Sequence, residues 1–135
     1  MNYITIDFET YYDKKYSLSK LTTEEYIRSD EFEVIGVAVK VNDKTPTWFT
    51  SRVKDNAIHN ELVKEFLHYA DIGNSVVIAH NAMFDGAILS WIYGIRPKYL
   101  IDTMLISRGM RGANARHSLK VLAEDLGVGQ KGTEV

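Results

Sequence analysis

Apolar and polar positions alternate from Tyr3 to Phe8, with Ile4, Ile6 and Phe8 on one side and Tyr3, Thr5 and Asp7 on the other. A period of two predicts a strand with one buried face, and Glu9 continues its polar side. Residues 11–31 are polar and rich in tyrosine, with a short helix predicted around Thr22 to Ile27. A β-branched run from Phe32 to Val41 predicts a second strand. Asn42, Asp43 and Lys44 form a turn that lets Thr47 to Thr50 pair back as an antiparallel strand. Leu62, Val63, Phe66 and Leu67 recur at helical spacing, so Asn60 to Tyr69 reads as a helix broken by Asp71 to Asn74. Ser75 to Ala79 is a short continuous apolar run, the pattern of a strand buried on both faces of a parallel sheet.

Asn81 then reads as the N-cap of a helix with an apolar stripe of Met83, Phe84, Ala87, Ile88, Trp91 and Ile92, ended by Gly94. Tyr99 to Ile101 is a further strand, followed by a helix from about Thr103 to Arg108. Gly109 to Ala115 reads as a basic, glycine-containing loop, and Ser118 to Leu126 as a short helix stopped by Gly127. No repeat, low-complexity stretch or linker interrupts the pattern. Three antiparallel-type strands followed by alternating helix and strand predict a mixed α/β sheet with flanking helices.

The length of 135 residues suits one domain, 1–135. The absence of cysteine excludes disulfides, thiolate metal sites and a cysteine nucleophile. No apolar stretch reaches bilayer length and the N-terminus has no signal-peptide pattern, so the expectation is an intracellular protein with no membrane partner. A net charge of −2 argues against indiscriminate phosphate binding. The charge is uneven. Residues 1–33 hold eight acidic side chains against four basic ones, whereas residues 94–120 hold Arg96, Lys98, Arg108, Arg111, Arg116 and Lys120 against Asp102 alone. Such asymmetry is usually a solvated surface; it also suits a metal-dependent enzyme on a phosphate backbone.

Asp7 and Glu9, two residues apart on a strand, project from one face about 6.6 Å apart along the chain, a spacing from which carboxylates converge on a hard divalent cation. Alone, the pair reads more readily as an acidic strand end in water. The second cluster is His80-Asn81-Ala82-Met83-Phe84-Asp85, with Asp85 in the first helical turn. Here the ordinary reading is a cap at Asn81, a dipole-complementing Asp85 and a structural His80. The combination, completed by Asp102 at the end of a later strand, shifts the balance toward chemistry.

Asp7-Phe8-Glu9-Thr10 followed by His80-Asn81-Ala82-Met83-Phe84-Asp85 resembles the first two motifs of the DEDD 3′–5′ exonucleases, which have a ribonuclease-H-like fold. Tyr16-Ser17-Leu18, Tyr26-Ile27-Arg28, Phe32 to Val37, and His117-Ser118-Leu119-Lys120 running to Leu126-Gly127 resemble the proofreading domain of phage-type family-A DNA polymerases. The resemblance implies two divalent metal ions, Mg²⁺ or Mn²⁺, held by Asp7, Glu9 and Asp85, with phosphodiester hydrolysis at the 3′ end of single-stranded DNA. It implies that Phe8, Thr10, Asn81 and Phe84 position the terminal nucleotide, and that Asp102 is no ligand but either serves the fold or acts from behind the ligands.

The family's third motif, Tyr-x-x-x-Asp or His-x-x-x-x-Asp on a late helix, is absent. After Asp102 the only acids are Glu124, Asp125 and Glu134, and no tyrosine follows Tyr99. The expectation is a C-terminally incomplete domain lacking its last helix, inactive or very slow alone, with an apolar face open to self-association. The leading reading is the N-terminal part of a polymerase proofreading exonuclease, the rest of that polymerase chain being a partner, in the host cytoplasm if phage-encoded. The alternatives are a non-catalytic nucleic-acid or protein-binding module of the same fold and a stand-alone 3′–5′ RNase.

Overall fold

The computed structural model describes residues 1–112 and 114–128. Its strands are β1 (Tyr3–Thr10), β2 (Val34–Val41), β3 (Thr47–Phe49), β4 (Val76–Ala79) and β5 (Tyr99–Asp102), and its helices are α1 (Thr23–Arg28), α2 (Asn56–Tyr69), α3 (Ala82–Ala87), α4 (Thr103–Arg111) and α5 (Leu119–Asp125). A 3₁₀ turn spans Ile72–Asn74, and α3 continues into a π-helical turn over Ile88–Ile92. The sheet order is β3-β2-β1-β4-β5. β1 pairs antiparallel with β2, and β2 with β3, while β1–β4 and β4–β5 are parallel. This is the mixed α/β sheet that the sequence predicts.

Alternation decides the faces. Ile4, Ile6 and Phe8 of β1 share a core with Val34, Val37 and Val39 of β2, Val77 and Ala79 of β4, and side chains from α1, α2 and α3. Between Glu9 and Thr10 the register slips: Glu9 pairs with Gly36 but Thr10 with Val34. Ile35 is the extra residue, a bulge that puts Val34 and Val37 on the same buried face although they are three apart. The opposite face of the sheet carries Asp7, and exposes Tyr3, Trp48 and Tyr99. α4 and α5 enclose a separate apolar hollow of about 350 Å³, lined by Ile106, Met110, Leu119, Leu122 and Leu126 among others.

Three of the four histidines are wired alike. His59 bonds the Val34 carbonyl through Nε2 at 2.7 Å and Ser51 Oγ through Nδ1 at 2.5 Å. His80 does the same with the His117 carbonyl at 2.6 Å and Thr103 Oγ1 at 2.9 Å, and His117 with the Gly112 carbonyl at 2.9 Å and Ser107 Oγ at 2.6 Å. A carbonyl only accepts, so Nε2 carries the proton, and in the neutral ring Nδ1 accepts from the hydroxyl. His80 and His117 thereby tie the segment before α5 to the end of β4 and to α4.

Several sequence expectations shift. α2 begins at Asn56 rather than Asn60, because Asp55 caps it through Ile58 N–H at 3.1 Å. α4 runs through Gly109 to Arg111 before Gly112 turns at φ 87°, where a loop is expected from Gly109; Ala113 of that loop lies outside the described residues. Asn81 does not cap α3 with its side chain. It sits in the left-handed region at φ 62°, which asparagine tolerates, because the chain must turn sharply out of β4. The apolar stripe holds in part: Ile88 is buried and Phe84, Ala87 and Ile92 pack against the core, joined by Ala82, Asp85 and Leu89, while Met83 is 76% and Trp91 40% exposed.

Gly36 supplies a direct test of the β2–β3 edge. A Cβ there would lie 2.5 Å from Trp48 Cζ2 and 2.6 Å from the Phe49 carbonyl oxygen, so the indole rests where a side chain would be. Gly36→Ala is expected to destabilise the protein by about 1–3 kcal/mol, read from the urea midpoint. An unchanged midpoint would contradict this packing.

Candidate functional site

The site begins where β4 stops covering β1. Parallel pairing between them joins only Tyr3 to Val76, Ile4 to Val77 and Thr5 to Ile78, after which the chain leaves the sheet at His80 and Asn81 to form α3. Farther along β1, the partner of the Phe8 amide is a side chain: Phe8 N–H donates to Asp85 Oδ1 at 3.1 Å in a buried hydrogen bond. Asp85 is only 4% exposed. Its carboxylate therefore lies against the backbone between Asp7, which is exposed, and Glu9, which is half-buried.

Electrostatics follow from that position. Burial is the largest influence on Asp85 and pushes its carboxyl up to about 7; Asp7 and Glu9 push the same way by repulsion, while the Phe8 amide opposes them. The three carboxylates thus feel one another although 76 or more positions separate Asp85 from the other two. Among the described residues, no three histidine or acidic groups are grouped closely enough to hold a cation as they stand.

The remaining expected site residues divide. The Phe8 ring is buried and stacks on Tyr93, centroids 6.1 Å apart, while its amide bonds Asp85. Thr10 is half-buried and bonds Tyr26 Oη at 2.9 Å. Phe84 is half-buried with its ring 6.0 Å from that of Tyr26. Asn81 is exposed, and its amide donates to Asp102 Oδ1 at 3.0 Å. The same Asp102 oxygen accepts from Met104 N–H at 2.9 Å, capping α4. Asp102 therefore clasps the start of α3 to the start of α4.

Of the expected basic residues, Arg111 is committed to structure: it pairs with Asp125 at 2.5 Å and donates to the Arg116 carbonyl at 3.2 Å. Glu134, the last acid in the sequence, lies outside the described residues. Tyr26, which the sequence does not single out as a site candidate, meets both Thr10 and Phe84. Its signal was the clustering of tyrosines between β1 and α1.

No family model and no curated protein matches the chain. Solved structures do. Brucella melitensis NrnC bound to pGG matches with TM-score 0.62 and 18% identity over 98% of this chain and 56% of that one. The same protein with bound Mg²⁺ matches with TM-score 0.62 and 18% identity over 98% and 57%. The apo form of a nuclease matches with TM-score 0.60 and 20% identity over 96% and 53%. The likeness is one of fold: a ribonuclease-H-like mixed sheet with flanking helices. The chain spans little more than half the length of these structures.

The buried carboxyl makes stability depend on pH in a defined sense. Asp85 binds its proton up to about pH 7 in the folded protein, but only to about pH 4 when unfolded. The folded state therefore holds more protons between those values, and stability falls as pH rises through that window, by up to about 1.4 kcal/mol per pH unit. Asp85→Asn is expected to flatten this part of the stability profile measured by urea unfolding from pH 4.5 to 8. An equal slope in the variant would place the titration elsewhere.

Proposed function

We propose that this chain carries the metal-binding carboxylates of a 3′–5′ exonuclease that removes nucleotides from the end of a single strand. The observation that carries this reading is the buried approach of Asp85 to the Phe8 amide, which assembles Asp7, Glu9 and Asp85 around one strand end. The Phe8 amide accounts for one Asp85 oxygen; the crowding with Asp7 and Glu9 is what a bound cation would relieve.

The donor set suits Mg²⁺ or Mn²⁺: it is all carboxylate oxygen, and the repulsion on Asp85 is of the kind that a cation relieves. Divalent ions in such a site supply charge neutralisation for the phosphate and a lowered pKa for a coordinated water. Asp7 and Glu9 would hold them from the strand, with Asp85 from α3 after losing its proton. Thr10, Asn81 and Phe84 would meet the terminal nucleotide through its sugar and the face of its base, which leaves base identity unread. Phe8 contributes its amide.

The finer assignment leans toward a stand-alone nuclease. The matching structures above are described as a nuclease and as NrnC with pGG or Mg²⁺, not as polymerases. The proofreading reading rests on the sequence resemblance alone. In either setting a fourth carboxylate is needed, and these 135 residues offer none at the family's spacing; Asp125 is already paired with Arg111. The chain alone should therefore bind metal weakly and cleave slowly.

Calorimetry is expected to show millimolar or tighter Mn²⁺ binding that Asp7→Ala weakens at least tenfold. With Mn²⁺, a 5′-labelled oligonucleotide should be shortened slowly from its 3′ end, and Asp7→Ala should stop this. Faster trimming of two- to four-nucleotide RNA than of longer DNA supports the stand-alone assignment; the reverse supports proofreading. Mn²⁺ binding indifferent to Asp7→Ala would overturn the reading.

A further inference from the structure

A groove of about 760 Å³ lies between the first turn of α1, one side of α3 and the segment that leads into β5. Met83, Ala87, Ile95 and Leu100 give it an apolar lining, and Trp91 and Arg96 border it too. None of Asp7, Glu9 or Asp85 lines it, so it is a place apart from the carboxylates.

Trp91 is ordered for contact. It sits on the π-helical turn and is 40% exposed. The Arg28 guanidinium lies 4.4 Å from the ring centroid, a cation–π contact that fixes the indole. Arg28 borders a neighbouring hollow with Trp91 and does not line this groove, so it braces the ring from the far side.

The charges around the groove favour an anion. Glu24, the acid on its rim, is already paired with Arg28 at 3.5 Å. Arg96 is exposed and has no acidic partner among the described residues, and Lys98 adds a second exposed cation two positions on. The fitting ligand has a flat ring and a negative charge, which each nucleotide of a nucleic acid supplies. In a duplex the base faces are already stacked, so only an unpaired strand offers one to a side chain. The groove has room for more than one nucleotide.

We propose that this groove is a further nucleic-acid site that takes the body of a single strand, with a base on Trp91 and a phosphate on Arg96. It needs neither a metal nor a strand end, and so does not rest on the exonuclease reading.

The test is anisotropy of 5′-fluorescein hexadeoxyadenylate on the 135-residue chain at low salt in EDTA. Without a cation, Asp7 and Glu9 repel phosphate, so the carboxylate site stays empty. Kd should be about 100 µM or tighter, the range of sequence-independent contact. A 3′-phosphate should leave it unchanged, and an abasic hexamer should bind at least fivefold more weakly.

Trp91→Ala should weaken binding at least fivefold, and Trp91→Phe should recover part of the loss. Arg96→Ala should cut the slope of log K against log salt by about 0.7, the mark of one lost phosphate contact. Ser90→Leu fills the groove while keeping ring and charge, and it too should weaken binding. Should Trp91→Ala fail to fold, Ser90→Leu decides. Wild-type binding in Ser90→Leu or in a folded Trp91→Ala, or equal binding of the abasic strand, overturns the proposal. Deoxyadenosine monophosphate competing as well as the hexamer overturns the strand as occupant. Binding seen only with Mn²⁺ overturns the groove and leaves the exonuclease reading standing.

Discussion

The hydrogen bond from the Phe8 amide to the Asp85 carboxylate is the constraint on which the site depends. β4 accompanies β1 for only three residue pairs, and beyond them the edge of β1 needs another acceptor. A side chain from α3 supplies it at 3.1 Å. To do so α3 must turn its Asp85 side inward, which brings a charge into the core beside two others. Local geometry and electrostatic cost therefore have one origin: satisfying the backbone at the strand end is what crowds the carboxylates.

The same strand end is held from its other side. The bulge at Ile35 keeps Thr10 in register with Val34, and the Thr10 hydroxyl and Tyr11 carbonyl both meet Tyr26. Tyr16 in turn bonds the Tyr26 carbonyl. The residues between β1 and α1, though polar in composition, are thus folded around a stack of aromatic rings. Strand β1 ends between two rigid supports, α3 through Asp85 and α1 through Tyr26, and Phe84 links them.

Much of this was legible in the sequence where a single period governs. β1 and β2 announce themselves because one face is buried and the other is not, and the short run at Ser75 to Ala79 marks the parallel strand. α3 and most of its stripe are legible too: Ile88 is buried and Phe84, Ala87 and Ile92 pack against the core, while Met83 and Trp91 are exposed. The burial of Asp85 was illegible: its partner is a backbone amide 77 positions away, and a backbone group leaves no trace in residue type. The burial of Phe8 can be read from its alternation with Ile4 and Ile6, and its ring stacks on Tyr93. Asn81 was the right kind of residue in the right position, but a left-handed turn removes its side chain from the cap.

The shared wiring of His59, His80 and His117 bears on metal choice. Nitrogen and sulfur donors attract zinc and copper far more strongly than carboxylates attract magnesium or manganese. This chain has no cysteine, and each of those three imidazoles already spends both ring nitrogens on the fold. A softer ion diffusing to the strand end would find oxygen ligands there and would have to dismantle local structure to recruit a ring nitrogen from any of the three. On the proposed reading, then, an ion at the strand end gains no ring nitrogen from His59, His80 or His117 without loss of structure elsewhere.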